Sequence, residues 1–219
     1  MSGRTVIFAM ALLSFGPLSS TLAAQTPGVH EIAHRVDEHY NKLHSLRAGF
    51  TETYEGLGVN RSETGTLLLL KPGRMRWDYS SPAGKLFLLD GNFAWSYVPG
   101  DAQVQRIPAK QLDDLRSPLS FLLGHTQLER ELTGLTMTPG ANGDFLLTGH
   151  PKNQQDRIRQ VRLAVTVAGV ITALAIEEQD GAITRFLFSN EQSNAPAPAS
   201  AFQFAPPAGV PVVNATAPL

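Results

Sequence analysis

The 219-residue chain contains no cysteine. Disulfides, thiolate nucleophiles and lipid attachment through a cysteine at a cleavage site are therefore excluded. Charge of one sign is also missing: 18 Lys and Arg stand against 19 Asp and Glu, a net charge of -1. Nothing in that balance attracts nucleic acid or an acidic membrane surface. The chain has no G-x-S-x-G elbow, no Walker loop and no G-x-G-x-x-G, so no nucleophile or phosphate-cradling motif is written into it. Long apolar runs are scarce too. Only Val6–Phe15 stands out, and Gly16-Pro17 ends it after ten residues, about half of what a membrane-spanning helix needs.

That N-terminal run has a purpose of its own. Arg4 supplies a positive flank, and Leu18–Ala24 leads to a small-residue site, the pattern of a secretory signal peptide cut after Ala23 or Ala24. Residues 1–24 are expected to be removed, leaving one domain over 25–219. Without disulfides, the exported product must be held by a hydrophobic core of adequate size.

The aromatic residues are few, 8% of the chain, but concentrated. Both tryptophans and two of the four tyrosines lie in Gly65–Pro99. This stretch reads as four β-segments. Leu67–Leu70 is an apolar run stopped by Lys71-Pro72-Gly73. Met75, Trp77 and Tyr79 then alternate with Arg74, Arg76 and Asp78, the period of a strand with one apolar face. Leu86–Leu89 is a further run, Asp90-Gly91 a hairpin signal, and Phe93, Trp95 and Tyr97 share the face of the fourth segment. The faces taken by Leu67, Leu68, Leu69 and Leu70 are not decided by sequence, because all four are leucine.

Upstream, Thr26-Pro27 reads as an N-cap and first helical position. Val29, Ile32, Ala33, Val36, Tyr40 and Leu43 follow at helical spacing, giving an amphipathic helix of about four turns. Ser45–Glu55 switches to strand period, and Gly56–Ser62 reads as a loop. Ala109–Leu123 looks helical in two pieces, and Gln127–Leu132 is open between helix and strand. Strands and turns then continue to Phe202-Gln203-Phe204, expected as the last strand after the Asn194–Ser200 connector. Ten or eleven strands with short turns and two or three helices imply a mainly β (α+β) fold: a curved antiparallel sheet with helices covering one face.

One catalytic pattern is present. His30-Glu31-Ile32-Ala33-His34 matches H-E-x-x-H, in which two histidines share a zinc and the glutamate acts as base. The helical wheel opposes it, since His34 lies opposite the Ile32/Val36/Tyr40 stripe and His30 well round from it. No cofactor or metal is expected. What remains is a surplus of apolar residues, among them Phe50, Leu67, Leu69, Met75, Trp77, Leu86, Leu88, Trp95, Tyr97, Phe121 and Leu122. A filled core and a partly empty apolar cavity beneath a helical lid both account for them.

These residues resemble the outer-membrane lipoprotein carrier protein (LolA) family. The resemblance rests on Phe50-Thr51-Glu52 (where the family favours F-T-Q), Gly65-Thr66-Leu67 and Lys71-Pro72-Gly73-Arg74-Met75-Arg76-Trp77. It continues in Leu89-Asp90-Gly91, Trp95-Ser96-Tyr97, Gln103-Val104, Pro118-Leu119-Ser120-Phe121-Leu122-Leu123, Phe202-Gln203-Phe204 and Pro206-Pro207-Ala208-Gly209-Val210. It implies an unclosed β-barrel whose concave apolar face lies under a helical lid. It also implies a monomeric periplasmic chaperone, not an enzyme. Such a chaperone takes acylated lipoproteins from an inner-membrane ABC transporter and passes them to an outer-membrane acceptor lipoprotein. By the same resemblance, Lys71 stands where a basic residue, usually arginine, latches the lid through helix carbonyls. Leu67, Leu69, Met75, Trp77, Leu88, Trp95, Tyr97, Phe121 and Leu122 are the expected cavity residues. A periplasmic lipid-binding or regulatory module on the same fold is the alternative, with a zinc hydrolase at His30, Glu31 and His34 behind it.

Overall fold

Helix α1, Val29–Asn41, buries Ile32, Ala33, Val36 and Tyr40 on the single stripe their spacing creates. In this computed structural model, which describes residues 27–111 and 126–214, Gly28 is the N-cap and makes no side-chain capping bond. The helix thus starts later than the Thr26-Pro27 signal predicts. The expected signal peptide and most of the predicted Ala109–Leu123 helix lie outside the described residues; Ala109–Gln111 forms a short 3₁₀ turn.

Twelve strands follow among the described residues: β1 (Ser45–Gly56), β2 (Val59–Leu70), β3 (Arg74–Ser81), β4 (Leu86–Leu89), β5 (Phe93–Tyr97) and β6 (Val104–Pro108). After a short helix α2 (Leu128–Glu131) come β7 (Leu132–Pro139), β8 (Phe145–Pro151), β9 (Ile158–Val165), β10 (Ile171–Glu178), β11 (Ile183–Ser193) and β12 (Val212–Asn214). They form one sheet in the order β12-β6-β5-β4-β3-β2-β1-β11-β10-β9-β8-β7, so β12 and β7 are its edges and the sheet does not close. All pairings are antiparallel except the parallel β12–β6 pair. The fold is mainly β, as the sequence implies.

Two local readings need correction. The predicted loop Gly56–Ser62 is instead a two-residue turn, because Leu57 and Gly58 both take positive φ (52° and 77°) and let β1 pair with β2 over its full length. Phe202-Gln203-Phe204 is not a strand. Ala199–Phe202 forms a 3₁₀ turn, and the last strand is Val212–Asn214. Phe202 is buried and Phe204 packs beside it, so these rings serve as cover for the sheet rather than part of it.

Strand register divides the sheet into two faces, because cross-strand partners share a side. Leu67 pairs with Trp77, Trp77 with Phe87, Leu69 with Met75, and Met75 with Leu89. These belong to the main core, along with the stripe of α1 and Phe50, Leu163, Leu174 and Phe186. Leu68 pairs with Arg76, Arg76 with Leu88, and Leu88 with Trp95. They lie on the other face, where Leu68, Leu86, Leu88 and Phe202 form a smaller cluster. At Gly65 an added Cβ would sit 2.1 Å from the Asp78 carbonyl oxygen and 2.8 Å from the Phe50 ring, so the close approach of β3 and of that ring requires glycine.

Candidate functional site

The candidate site is the inner face of β1–β4 and the helix that covers it. Leu67, Leu69, Met75 and Trp77 converge there, and all are almost wholly buried. Trp77 meets Phe50 edge-to-face at 4.6 Å between ring centroids and Phe186 at 5.4 Å, so the floor centres on an aromatic cluster. Beneath Tyr40 a residual cavity of about 10 Å³ remains, lined by Leu46, Ala48, Leu67, Ile171, Phe188 and Glu191, enough for one water. The described side chains of this floor are buried against one another and against α1.

Three predicted cavity residues are elsewhere. Leu88, Trp95 and Tyr97 lie on the outer face: Leu88 in the smaller cluster, Trp95 and Tyr97 with their rings about 6 Å from Phe204. The cause is parity. Leu88 is the partner of Arg76, whose guanidinium reaches the carbonyls of Ala201 and Gln203 outside the sheet. The inner positions belong to Phe87, Leu89 and Ala94. In the all-apolar run Leu86–Leu89, nothing short of the register with β3 distinguishes the two faces. Phe121 and Leu122 lie outside the described residues.

Four polar contacts hold the C-terminal turn of α1 at His39 and Tyr40, beside the Asn41 amide, which pairs with the Thr126 backbone at 2.9 and 2.7 Å. The Lys71 ammonium donates to the Tyr40 carbonyl at 2.7 Å. That carbonyl is at the negative end of the helix dipole, where a cation is favoured. The Tyr40 hydroxyl donates to Glu191 Oε2 at 3.1 Å and accepts the Ile171 backbone N–H at 3.0 Å. His39 reaches the other Glu191 oxygen at 2.7 Å. Burial lowers the Lys71 pKa from its ordinary value and, with the Glu191 charge, pushes the Tyr40 phenol far up. Glu191 was not legible in sequence, being some 150 residues from its partners in the helix.

The H-E-x-x-H residues point away from this site. Glu31 bonds Arg35 at 2.5 Å, His30 contacts Glu129, and His34 faces Glu38 at 3.9 Å on the exposed side of α1. No group of three or more His, Cys, Asp or Glu able to hold a metal occurs among the described residues. Both sides of the motif are engaged in surface pairs rather than aimed at a common point.

An open twelve-stranded sheet with a helix docked on its apolar inner face defines a helix-covered half-barrel. The family model for the outer membrane lipoprotein carrier protein LolA matches residues 41–205, and the chain belongs to that family. The outer-membrane lipoprotein carrier protein of Chromobacterium violaceum is 32% identical over 171 residues, covering 78% of this chain and 81% of the relative. That of Serratia proteamaculans is 28% identical over 210 residues, covering 94% and 96%. A solved structure of an uncharacterized conserved protein from Thermus thermophilus superposes with a TM-score of 0.51 at 16% identity, covering 85% of this chain and 98% of that one. The likeness extends to the fold. LolA proteins are non-enzymatic carriers, so the family gives the H-E-x-x-H pattern no catalytic part.

Proposed function

We propose that this chain is a periplasmic carrier that shields the acyl chains of lipoproteins, receiving them from an inner-membrane transporter and delivering them to an outer-membrane acceptor. The observation that carries the reading is the apolar floor of Leu67, Leu69, Met75 and Trp77 beneath a helix docked by its apolar stripe and tied by polar contacts along its length, from Arg35 to the Val167 carbonyl and from Lys71 to the Tyr40 carbonyl. Family membership supports the carrier role and lipoprotein cargo.

The magnitudes agree with a reversible carrier. Each methylene removed from water gains about 0.8 kcal/mol, so one acyl chain of ordinary length gains on the order of 10 kcal/mol. Undocking α1 exposes Ile32, Ala33, Val36 and Tyr40 and gives up the polar contacts at Lys71 and Glu191, together on the order of 10 kcal/mol. The two terms are of the same order, so cargo displaces the helix while the helix competes for the floor and keeps binding from becoming irreversible. Lys71 acts as the latch of the closed form, and Met75 with the leucines supplies side chains that repack around different lipids.

The test is incubation of the purified protein with spheroplasts. A carrier releases newly made lipoproteins as a soluble complex. No release removes this reading and leaves a lipid-binding module on the same fold.

A further inference from the structure

We propose that the buried charge cluster at the Glu52–Glu63 end of the inner face is an end-stop that sets the longest acyl chain this half of the floor accepts. The proposal rests on the carrier reading and deepens it.

The inner face of β2 runs from Leu69 through Leu67 and Gly65 to Glu63, six residue steps or roughly 20 Å of strand. On β1 the parallel path ends at Glu52, the direct cross-strand partner of Glu63. Both carboxylates are buried, at 9% and 4% exposure. Like charges placed directly opposite destabilise a sheet, and this pair is buried as well. A pair of apolar residues would have closed the core at less cost.

The cluster is built to stay in place. Lys85 bonds Glu63 and lies 4.3 Å over the Tyr79 ring, whose hydroxyl donates to Glu52 at 3.0 Å. Arg61 reaches Glu63 at 3.2 Å and Glu52 at 3.8 Å. Beyond it, Arg61 and Ser81 are exposed, and the half-buried Tyr54 ring lies under the Arg61 guanidinium at 5.4 Å, so the next positions along the floor are charged or open to solvent. A methylene advancing past Phe50 and Tyr79 must either break paired charges in a low-dielectric setting or emerge into water, and both are unfavourable. Burial already pushes the Glu52 carboxyl above its ordinary value, a sign of how little water reaches this end.

The test is binding of synthetic lipopeptides in a homologous series of chain lengths to the wild type and to the double variant Glu52→Leu/Glu63→Leu. In the wild type, affinity should rise about fourfold per added methylene and then stop rising at a break. In the variant, short-chain affinity should be unchanged and the break should move to longer chains. A break that stays put with short-chain binding intact overturns the proposal. If no member of the series binds the wild type, the carrier reading fails and the end-stop falls with it. Should the double variant not fold, a lipopeptide carrying a diazirine at its terminal carbon replaces it, used on the wild type. Adducts on Phe50, Trp77 or Tyr79 support the stop, and adducts on Tyr54 or Ser81 overturn it.

Discussion

Replacing Lys71 with methionine keeps most of the stem and removes the donor to the Tyr40 carbonyl. A hydrogen bond from a charged donor contributes about 1.5–3 kcal/mol, and partial exposure of Lys71 lowers this to roughly 1–2 kcal/mol. The docked-to-undocked ratio of α1 should therefore fall by a factor of about 5–30. Native-state hydrogen exchange reads this directly: amides in the second half of α1 should exchange faster by that factor, while those of β9 and β10 keep their rates. Lys71→Arg restores slow exchange or slows it beyond wild type, because a guanidinium offers a fork of donors to the helix end. The latch assignment is refuted if Lys71→Met leaves α1 exchange unchanged. It is equally refuted if all amides accelerate together, since that is global destabilisation without selective release of the helix.

Tyr40→Phe leaves both Glu191 Oε2 and the Ile171 N–H without the hydroxyl, so thermal unfolding should show a loss of about 1–3 kcal/mol. Trp77→Leu should weaken lipid binding in a fluorescent-lipid titration. Trp95→Leu, on the outer face, should leave it unchanged. Burial raises the Glu52 carboxyl above 4.5, so between 4.5 and that raised value the folded chain holds more protons than the unfolded one. Stability should accordingly fall as pH rises through that window, and urea titrations of Glu52→Gln across it should show a flatter profile. His34→Ala, on the exposed side of α1, should change stability by no more than about 0.5 kcal/mol and leave lipoprotein release intact.

The parts of the fold legible in sequence are those where polar and apolar residues alternate. Met75, Trp77 and Tyr79 against Arg74, Arg76 and Asp78 give β3 and both its faces, and Ile32, Val36 and Tyr40 give the buried stripe of α1. Where alternation is absent, the reading fails. Leu67–Leu70 and Leu86–Leu89 are apolar at every position, because the sheet is covered on both sides there: by the main core within, and by Phe202 and Phe204 without. A strand covered on both faces carries no parity signal. Their sides follow only from pairing with β3, and that pairing moves Leu88, Trp95 and Tyr97 off the floor. Glu191 was hidden for another reason. Its partners His39 and Tyr40 come from the opposite end of the chain, and no local pattern marks such a pair.

The open sheet has a mechanical consequence. A closed barrel has a fixed circumference, since widening it means breaking a ladder. Here β7 and β12, at opposite ends of twelve strands, have no further strand partner among the described residues. The sheet can therefore flatten or tighten by small changes in twist shared over eleven ladders, with every hydrogen bond kept. On the proposed carrier reading, volume for a guest comes from elastic curvature of the sheet as well as from displacing the helix.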